Sequence, residues 1–327
     1  MLPFRPNEPA YAGVGITFCR TPLVLDPVGL EGVDVAILGA PFDEGVTYRP
    51  GTRFGPRAIR AAEDAGHNAR PSIEVGLNPF EAIRVVDYGD IEAVPAGLER
   101  SLALLRSHVG HILGAGAVAV VLGGDHSLSL SMLQAVADRF GPDGYAVIHF
   151  DTHADTGSEV FGVALSHGTI MRRLVEDGHV DPRRYAQIGL RGYWPGREEF
   201  AWQAERGITS LFMHEVRDRG IKEVIGWAID AVGEGPVFLT VDIDVLDPAF
   251  APGTGTPEPG GMTTAELLWA AREVAEKVEV VGADLVEVIP TGVGSADVTA
   301  LAADRIVREV LGGIALRRKR QEKKEET

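Results

Sequence analysis

Eight short apolar runs rich in β-branched residues, separated by stretches long enough for helices, predict an α/β chain built on a largely parallel sheet. Most of these runs are apolar without alternation, which is the pattern of strands covered on both faces. Several of them end in clusters of Asp, His and Glu, which places the chemistry at one edge of that sheet.

VDVAIL (33–38) comes first and is followed by PFDEGVTYRPGTRFGPRAIR (41–60), in which Pro56 marks a helix start. The run 51–57 lacks the Gly-x-x-x-x-Gly-Lys-Ser/Thr spacing of a phosphate loop. Arg49, Arg53 and Arg57 could instead meet an anionic substrate tail or a neighbouring subunit. IRVVDY (83–88) precedes a helix over 95–113, and AVAVVL (117–122) runs into Gly123-Gly124-Asp125-His126 and a helix over 127–139. YAVIHF (145–150) runs into Asp151-Thr152-His153-Ala154-Asp155, then the loop 156–166 and a helix over 167–177. YAQIGL (185–190) leads to RGYWPGREEF (191–200), whose Tyr193 and Trp194 could shape a substrate channel or pack between subunits. ITSLFM (208–213) and VFLTVD (237–242) follow, the latter continuing into Ile243-Asp244 with Asp247 beyond. Thr263 or Thr264 caps a helix over 263–278, VVGADLVEV (280–288) carries Glu287 near its end, and Ser295 is placed to cap a last helix over 295–316. No linker or repeat divides 1–316, so one domain is expected there. The charged tail RRKRQEKKEET (317–327) continues or frays from the last helix in solvent.

Composition narrows the classes of function. With 45% hydrophobic and 24% charged residues the chain is globular, and no apolar run approaches the roughly 20 residues that span a bilayer. Forty-seven acids against 31 bases leave a net charge of −16, which disfavours nucleic acid and anionic membranes as partners and tolerates a cationic substrate. The single cysteine, Cys19, forms no intramolecular disulfide, and MLPFRPNEPAYAG lacks the basic start and apolar stretch of a secretory signal, so a cytoplasmic protein is expected.

The clusters suit metal ions. Residues two apart in an extended segment project to the same side, so Asp151, His153 and Asp155 can point together, as can Asp242 and Asp244. With His126 these make four carboxylates and two imidazoles in one pocket, and so many anions stay ionised together only if they share cations. A carboxylate and imidazole set without thiolates suits Mn²⁺, Zn²⁺, Co²⁺, Ni²⁺ or Fe²⁺. Six ligands exceed what one structural zinc requires. Two ions roughly 3.5 Å apart would acidify a shared water, which makes hydrolysis the natural reaction. Asp125 and Asp247 are expected to bind backbone, and His149 to support the ligands rather than join them.

These motifs resemble the ureohydrolase family, whose members include arginase, agmatinase and guanidino-acid hydrolases. The resemblance runs through 41–60, GGDHS, DTHAD, SHGT, TVDIDVLDPAFAPGTGTPEPGG (240–261) and VEVIP (286–290), and FAPGTGTPEPGG is closest to the agmatinase branch. It implies a three-layer α/β/α fold with an eight-stranded sheet, two Mn²⁺ ions and a homo-oligomer, trimer or hexamer. One ion would take His126, Asp151, Asp155 and Asp242, and the other His153, Asp151, Asp242 and Asp244, with Asp155 also counted among the catalytic residues. Glu287 would pair with the substrate guanidinium, and His167 would shuttle protons.

The implied reaction is release of urea from a guanidino compound, agmatine giving putrescine; the alternative is a guanidino acid. The pattern departs from the family at Thr152, where Ala is usual and whose side chain is expected to face away from the metals. The loop 155–167, DTGSEVFGVALSH, is not the one with which arginase recognises an amino acid. A single-zinc deacetylase would use adjacent histidines, of which there are none, and a silent metal-binding scaffold would have lost a ligand.

Overall fold

The computed structural model describes residues 17–62, 70–292 and 297–325. The N-terminal segment 1–13 and Ser295 lie outside them. Eight strands form one sheet in the order β2-β1-β3-β8-β7-β4-β5-β6. They are β1 Val35–Ala40, β2 Val85–Asp90, β3 Val118–Gly123, β4 Ala146–Phe150, β5 Tyr185–Leu190, β6 Thr209–Phe212, β7 Pro236–Asp242 and β8 Glu279–Val286, and every pairing is parallel. The helices in chain order are α1 Gly55–Ala61, α2 Pro79–Ala82, α3 Leu98–Gly114, α4 Leu128–Phe140, α5 Ile170–Glu176, α6 Arg197–Arg206, α7 Met213–Arg219, α8 Ile221–Val232, α9 Thr264–Lys277 and α10 Val298–Glu325.

Strand residues alternate between two cores, because successive side chains leave a strand on opposite faces. Val35, Val120, Ile148, Leu239 and Leu285 pack under α1, α8, α9 and α10, whereas Ala36, Val121, Val147 and Phe238 pack under α3, α4 and α5. The result is the expected three-layer α/β/α sandwich.

The starts of α5 and α10 differ from the sequence expectation, and the cap of α9 falls on the first of the two threonines offered. Thr263, not Thr264, caps α9, in a reciprocal box with Glu266 (Glu266 N donates to Thr263 Oγ1 at 3.2 Å and Thr263 N to Glu266 Oε2 at 2.8 Å). Asp297 Oδ1 accepts from Ala300 N at 3.0 Å, which serves the start of α10. The helix expected over 167–177 begins at Ile170, which leaves His167 in the preceding loop, and α10 carries the charged tail on as helix to Glu325. Among the described residues no helix is long and apolar enough to cross a membrane.

The strand order decides where chemistry can occur. The chain steps from β3 past two positions to β4, and β7 and β8 later fill the gap, so β3, β8, β7 and β4 lie side by side at the centre. Their carboxyl ends carry His126, Glu287, Asp242 with Asp244, and Asp151 through Asp155. Four clusters far apart in sequence thus meet at a topological switch point, the place where open α/β sheets bind ligands.

Candidate metal centre

His126 is fully buried, and its Nδ1 lies 3.1 Å from Asp151 Oδ2, 3.1 Å from Asp155 Oδ2 and 3.3 Å from Asp242 Oδ2. None of these contacts is aligned as a hydrogen bond, so Nδ1 faces a space enclosed by carboxylate oxygens. Beside it, His153 Nδ1 lies 3.1 Å from Asp244 Oδ2 and 3.6 Å from Asp151 Oδ1. Asp151, His153 and Asp244 offer ligand atoms within 4.8 Å of one another, so Asp151 faces both histidines. The six residues picked from the sequence therefore come together in one pocket.

The backbone is bent to achieve this. Asp155 (φ 52°) and Glu287 (φ 63°) adopt the left-handed region that side chains with a Cβ avoid, strain that is kept where a side chain must be aimed. Local hydrogen bonds hold the loops: His153 N donates to Asp151 Oδ1 at 2.6 Å, Asp244 N to Asp242 Oδ1 at 2.8 Å and Thr152 N to Asp244 Oδ1 at 3.3 Å. The Thr152 hydroxyl has no partner among the described residues. Arg191 clamps the same region from β5, donating to Asp244 O at 2.8 Å and Glu258 O at 2.6 Å.

Electrostatics argue that the pocket is built for positive charge. Burial would depress the histidines, but the surrounding carboxylates outweigh it: His126 rises well above its ordinary range, and Asp244 with Asp151 lifts His153 to about 10. Burial and the neighbouring Asp244 and Asp151 carboxylates push Asp242 well above the usual acid range. Burial would also raise Asp151, yet the close imidazole of His126 and the bond from His149 hold it well below. Without cations, the imidazoles must take up protons to offset the carboxylates. The buried unpartnered atoms His126 Nδ1 and Asp244 Oδ2, set among hard oxygen donors, fit divalent ions of the borderline class.

The supporting residues follow the expectations for Asp125, Asp247 and His149. Asp125 accepts from Gly45 N at 2.8 Å and Ser127 N at 2.9 Å, and Asp247 from Ala249 N at 2.9 Å and Gly260 N at 2.7 Å. His149 Nδ1 meets Tyr185 Oη at 2.9 Å and Gln187 Nε2 at 3.1 Å, and because the Asp151 carboxylate only accepts, His149 Nε2 carries a hydrogen and donates to Asp151 Oδ2 at 2.8 Å. Both His149 nitrogens are engaged, which leaves none for a metal.

His167 and Glu287 form a second group. His167 Nδ1 donates to Glu287 Oε1 at 2.9 Å, its Nε2 sits 2.8 Å from Thr47 Oγ1, and His126 N also donates to Glu287 Oε1 at 2.9 Å. Two donors fill Oε1, so the buried, unpartnered Oε2 is the oxygen open to a further donor. Burial opposes the charged form of His167, but the Glu287 carboxylate prevails and lifts it to about 9.

A cavity of about 410 Å³ opens over the centre, lined among others by Thr47, His153, Asp155, Glu159, Phe161, His167, Trp194 and Asp242. Trp194 meets His153 edge-on at 5.9 Å, and Gly168 makes room for it: a Cβ there would stand 2.8 Å from the indole. Tyr193, 98% exposed, takes no part in the wall. Arg53 pairs with Asp43 and Glu44, Arg49 lies over the Tyr48 ring at 5.3 Å, and Arg57 is exposed, so no arginine of the 41–60 motif lines the cavity. Sequence reasoning passed over Thr47 and Glu159, whose only signal was their place inside the 41–60 motif and the loop 156–166.

The model of the arginase family matches residues 33–312, most of the chain. The chain belongs to the arginase family. This arginase-family chain is accordingly a hydrolase, and its relatives are similar over nearly their whole length. A proclavaminate amidinohydrolase of Streptomyces clavuligerus is 38% identical over 304 residues, 93% of this chain and 94% of that protein. A solved structure of proclavaminate amidinohydrolase from the same organism superposes with a TM-score of 0.86 at 37% identity, covering 95% of this chain and 100% of that one. An agmatinase of Chromobacterium violaceum is 39% identical over 307 residues (93% and 89% covered), and a guanidinobutyrase of Pseudomonas aeruginosa 38% over 290 (88% and 89%).

Proposed function

We propose that this arginase-family hydrolase releases urea from an amine-tailed guanidino compound, agmatine giving putrescine, with two divalent ions, Mn²⁺ in the first instance. The observation that carries the amine tail is the cavity wall. Among the described residues that line it, beyond the candidate ligands and His167, the one charged residue is Glu159, and there is neither Lys nor Arg. A carboxylate tail would enter an acidic cavity with no cation to meet it, whereas an ammonium tail meets Glu159 and the Trp194 face. The names of the relatives do not choose, because agmatinase, guanidinobutyrase and proclavaminate amidinohydrolase stand at nearly equal identity.

In this reading His126, Asp151, Asp155 and Asp242 hold one ion, and His153, Asp151, Asp242 and Asp244 the other. The pair, when bound, supplies an acidified water and a positive field for the charge that develops on the guanidinium carbon. Glu287 Oε2 accepts a hydrogen from the guanidinium and orients it. His167, whose pairing with Glu287 favours its protonated form, delivers a proton from Nε2 through the Thr47 hydroxyl to the departing amine. Trp194 and Phe161 give the cavity its aromatic lining beside the candidate ligands.

The test is urea release from agmatine, guanidinobutyrate, guanidinopropionate and arginine after loading with Mn²⁺, Ni²⁺, Co²⁺ or Zn²⁺, with Asp151→Asn as control. Agmatine turned over well above the rest, and lost in the control, supports the reading. Preference for a carboxylate substrate moves the function to guanidino-acid hydrolysis. No urea from any of them overturns the substrate class.

A further inference from the structure

One pleat beneath the candidate metal centre a row of polar side chains crosses the sheet. The register pairs Asp284 on β8 with Thr240 on β7, Thr240 with His149 on β4, and His149 with Gln187 on β5. All four are buried, on the face that is otherwise filled by Val121, Val147, Phe238 and Val286. Asp242 and Asp151 stand two residues beyond Thr240 and His149, so the row lies directly under the candidate ligands. His149 is accounted for by its bond to Asp151, and Gln187 by its bonds to His149 and Ala154 O. Asp284 touches none of the candidate ligands.

A carboxylate at 2% exposure in the middle of a parallel sheet is costly unless donors surround it. Asp284 Oδ2 accepts from Ser129 Oγ at 2.6 Å, while Oδ1 has no aligned donor. Its neighbour across the β7–β8 pairing is Thr240, whose Oγ1 is also 2.9 Å from His126 Nε2. Burial raises Asp284, and the Thr240 hydroxyl beside it on β7 opposes that rise together with Ser129, so the single hydroxyl hydrogen of Thr240 can go to His126 Nε2 or to the Asp284 carboxylate, which is the stronger acceptor. With that hydrogen on Asp284, Thr240 must accept from His126, which places the imidazole hydrogen on Nε2. The Nδ1 lone pair is then directed among Asp151, Asp155 and Asp242.

We propose that Asp284 is a positioning residue that, acting through Thr240, fixes the tautomer of His126 that can ligate a cation. It does so at the expense of the cation-free chain, since it buries an incompletely satisfied carboxylate. The proposal rests on His126 being a metal ligand and is independent of the substrate.

Asp284→Asn tests it at nearly constant shape. An amide at this position donates to Thr240, whose hydrogen then turns to His126 Nε2 and forces the other imidazole hydrogen onto Nδ1. Calorimetric titration of the chelator-stripped protein with Mn²⁺ should show affinity for the tighter ion falling about 10- to 100-fold. The melting temperature of the metal-free variant should be unchanged or higher. Thr240→Val should lose as much, Thr240→Ser should recover it, and the double variant Asp284→Asn/Thr240→Val should be no weaker than either single. An Asp284→Asn chain that binds Mn²⁺ like the parent overturns the proposal and leaves the metal reading intact. So do additive losses in the double variant, or a metal-free melting temperature that falls in parallel with affinity. If Asp284→Asn fails to fold, the Thr240 pair decides alone. A parent that binds no divalent ion at all overturns both.

Discussion

Removal of divalent ions should make the stability of this protein fall as pH rises, the reverse of what the metal-loaded form should do. In the metal-free chain His167 is raised from an ordinary 6.5 to about 9 and His153 to about 10. A histidine whose folded pKa is raised contributes stability that is complete below about pH 6.5 and lost as pH climbs through the folded value. For His167 alone the shift of about 2.5 units is worth about 3 kcal/mol, at about 1.4 kcal/mol per unit. Because His153 draws on the same carboxylates, its share is coupled rather than simply added. For a chain of this size that is on the order of 5 °C in melting temperature between about pH 6.5 and 9. Bound dications would displace the protons from the ligands, so the loaded protein should gain stability from acid to neutral pH and hold it above. The assay is thermal unfolding followed by circular dichroism, with and without chelator, across that range, and with His167→Gln as a second chain that should show a shallower fall. A chelated protein whose melting temperature is level or rises toward pH 9, or a His167→Gln chain that keeps the full slope, would refute the reasoning.

Three further expectations follow from individual contacts. Gly124→Ala places a Cβ 2.3 Å from Phe42 O and 2.6 Å from Ala40 O, both backbone, so the loop carrying His126 must move; unfolding titrations should show a loss of about 1–3 kcal/mol or more, and metal analysis should show fewer bound ions. Arg60→Met strips the buried Asp87 of a guanidinium that donates to it at 2.8 Å and 2.9 Å, and denaturant titration should register about 3–5 kcal/mol of destabilisation. Glu159→Gln should raise KM for agmatine about fivefold, the scale of an exposed ion pair, with kcat little changed; an unaltered KM removes Glu159 from tail recognition.

Much of this architecture was legible in the chain because strand and helix signals are local. VDVAIL, AVAVVL and VFLTVD match their strands within two residues at either end, and Thr263 with Glu266 marks the start of α9. The candidate ligands were legible for a related reason: Asp-x-His-x-Asp and Asp-x-Asp are short enough for backbone geometry alone to set which side chains share a side. Thr240, Asp284 and Gln187 left a signal too, a single polar residue inside an otherwise apolar strand, but it gains meaning only when β8, β7, β4 and β5 are known to lie side by side. Arg49 and Trp194 show the remaining limit. From the sequence both were candidates for the substrate tail, and only packing puts the indole against His153 while the guanidinium lies over Tyr48.

The residues thus specified the element types, the candidate ligands and the family, since each depends on neighbours within a few positions of the chain. They did not specify that β7 and β8 insert between β3 and β4, that one oxygen of Glu287 is taken by His126 N and His167, or which nitrogen of His126 faces the carboxylates. Those outcomes depend on pairings between segments more than a hundred residues apart in sequence, such as His126 with Thr240 (114 apart) and with Glu287 (161 apart). Such pairings are set by how the whole sheet buries its two faces, and no local pattern records them.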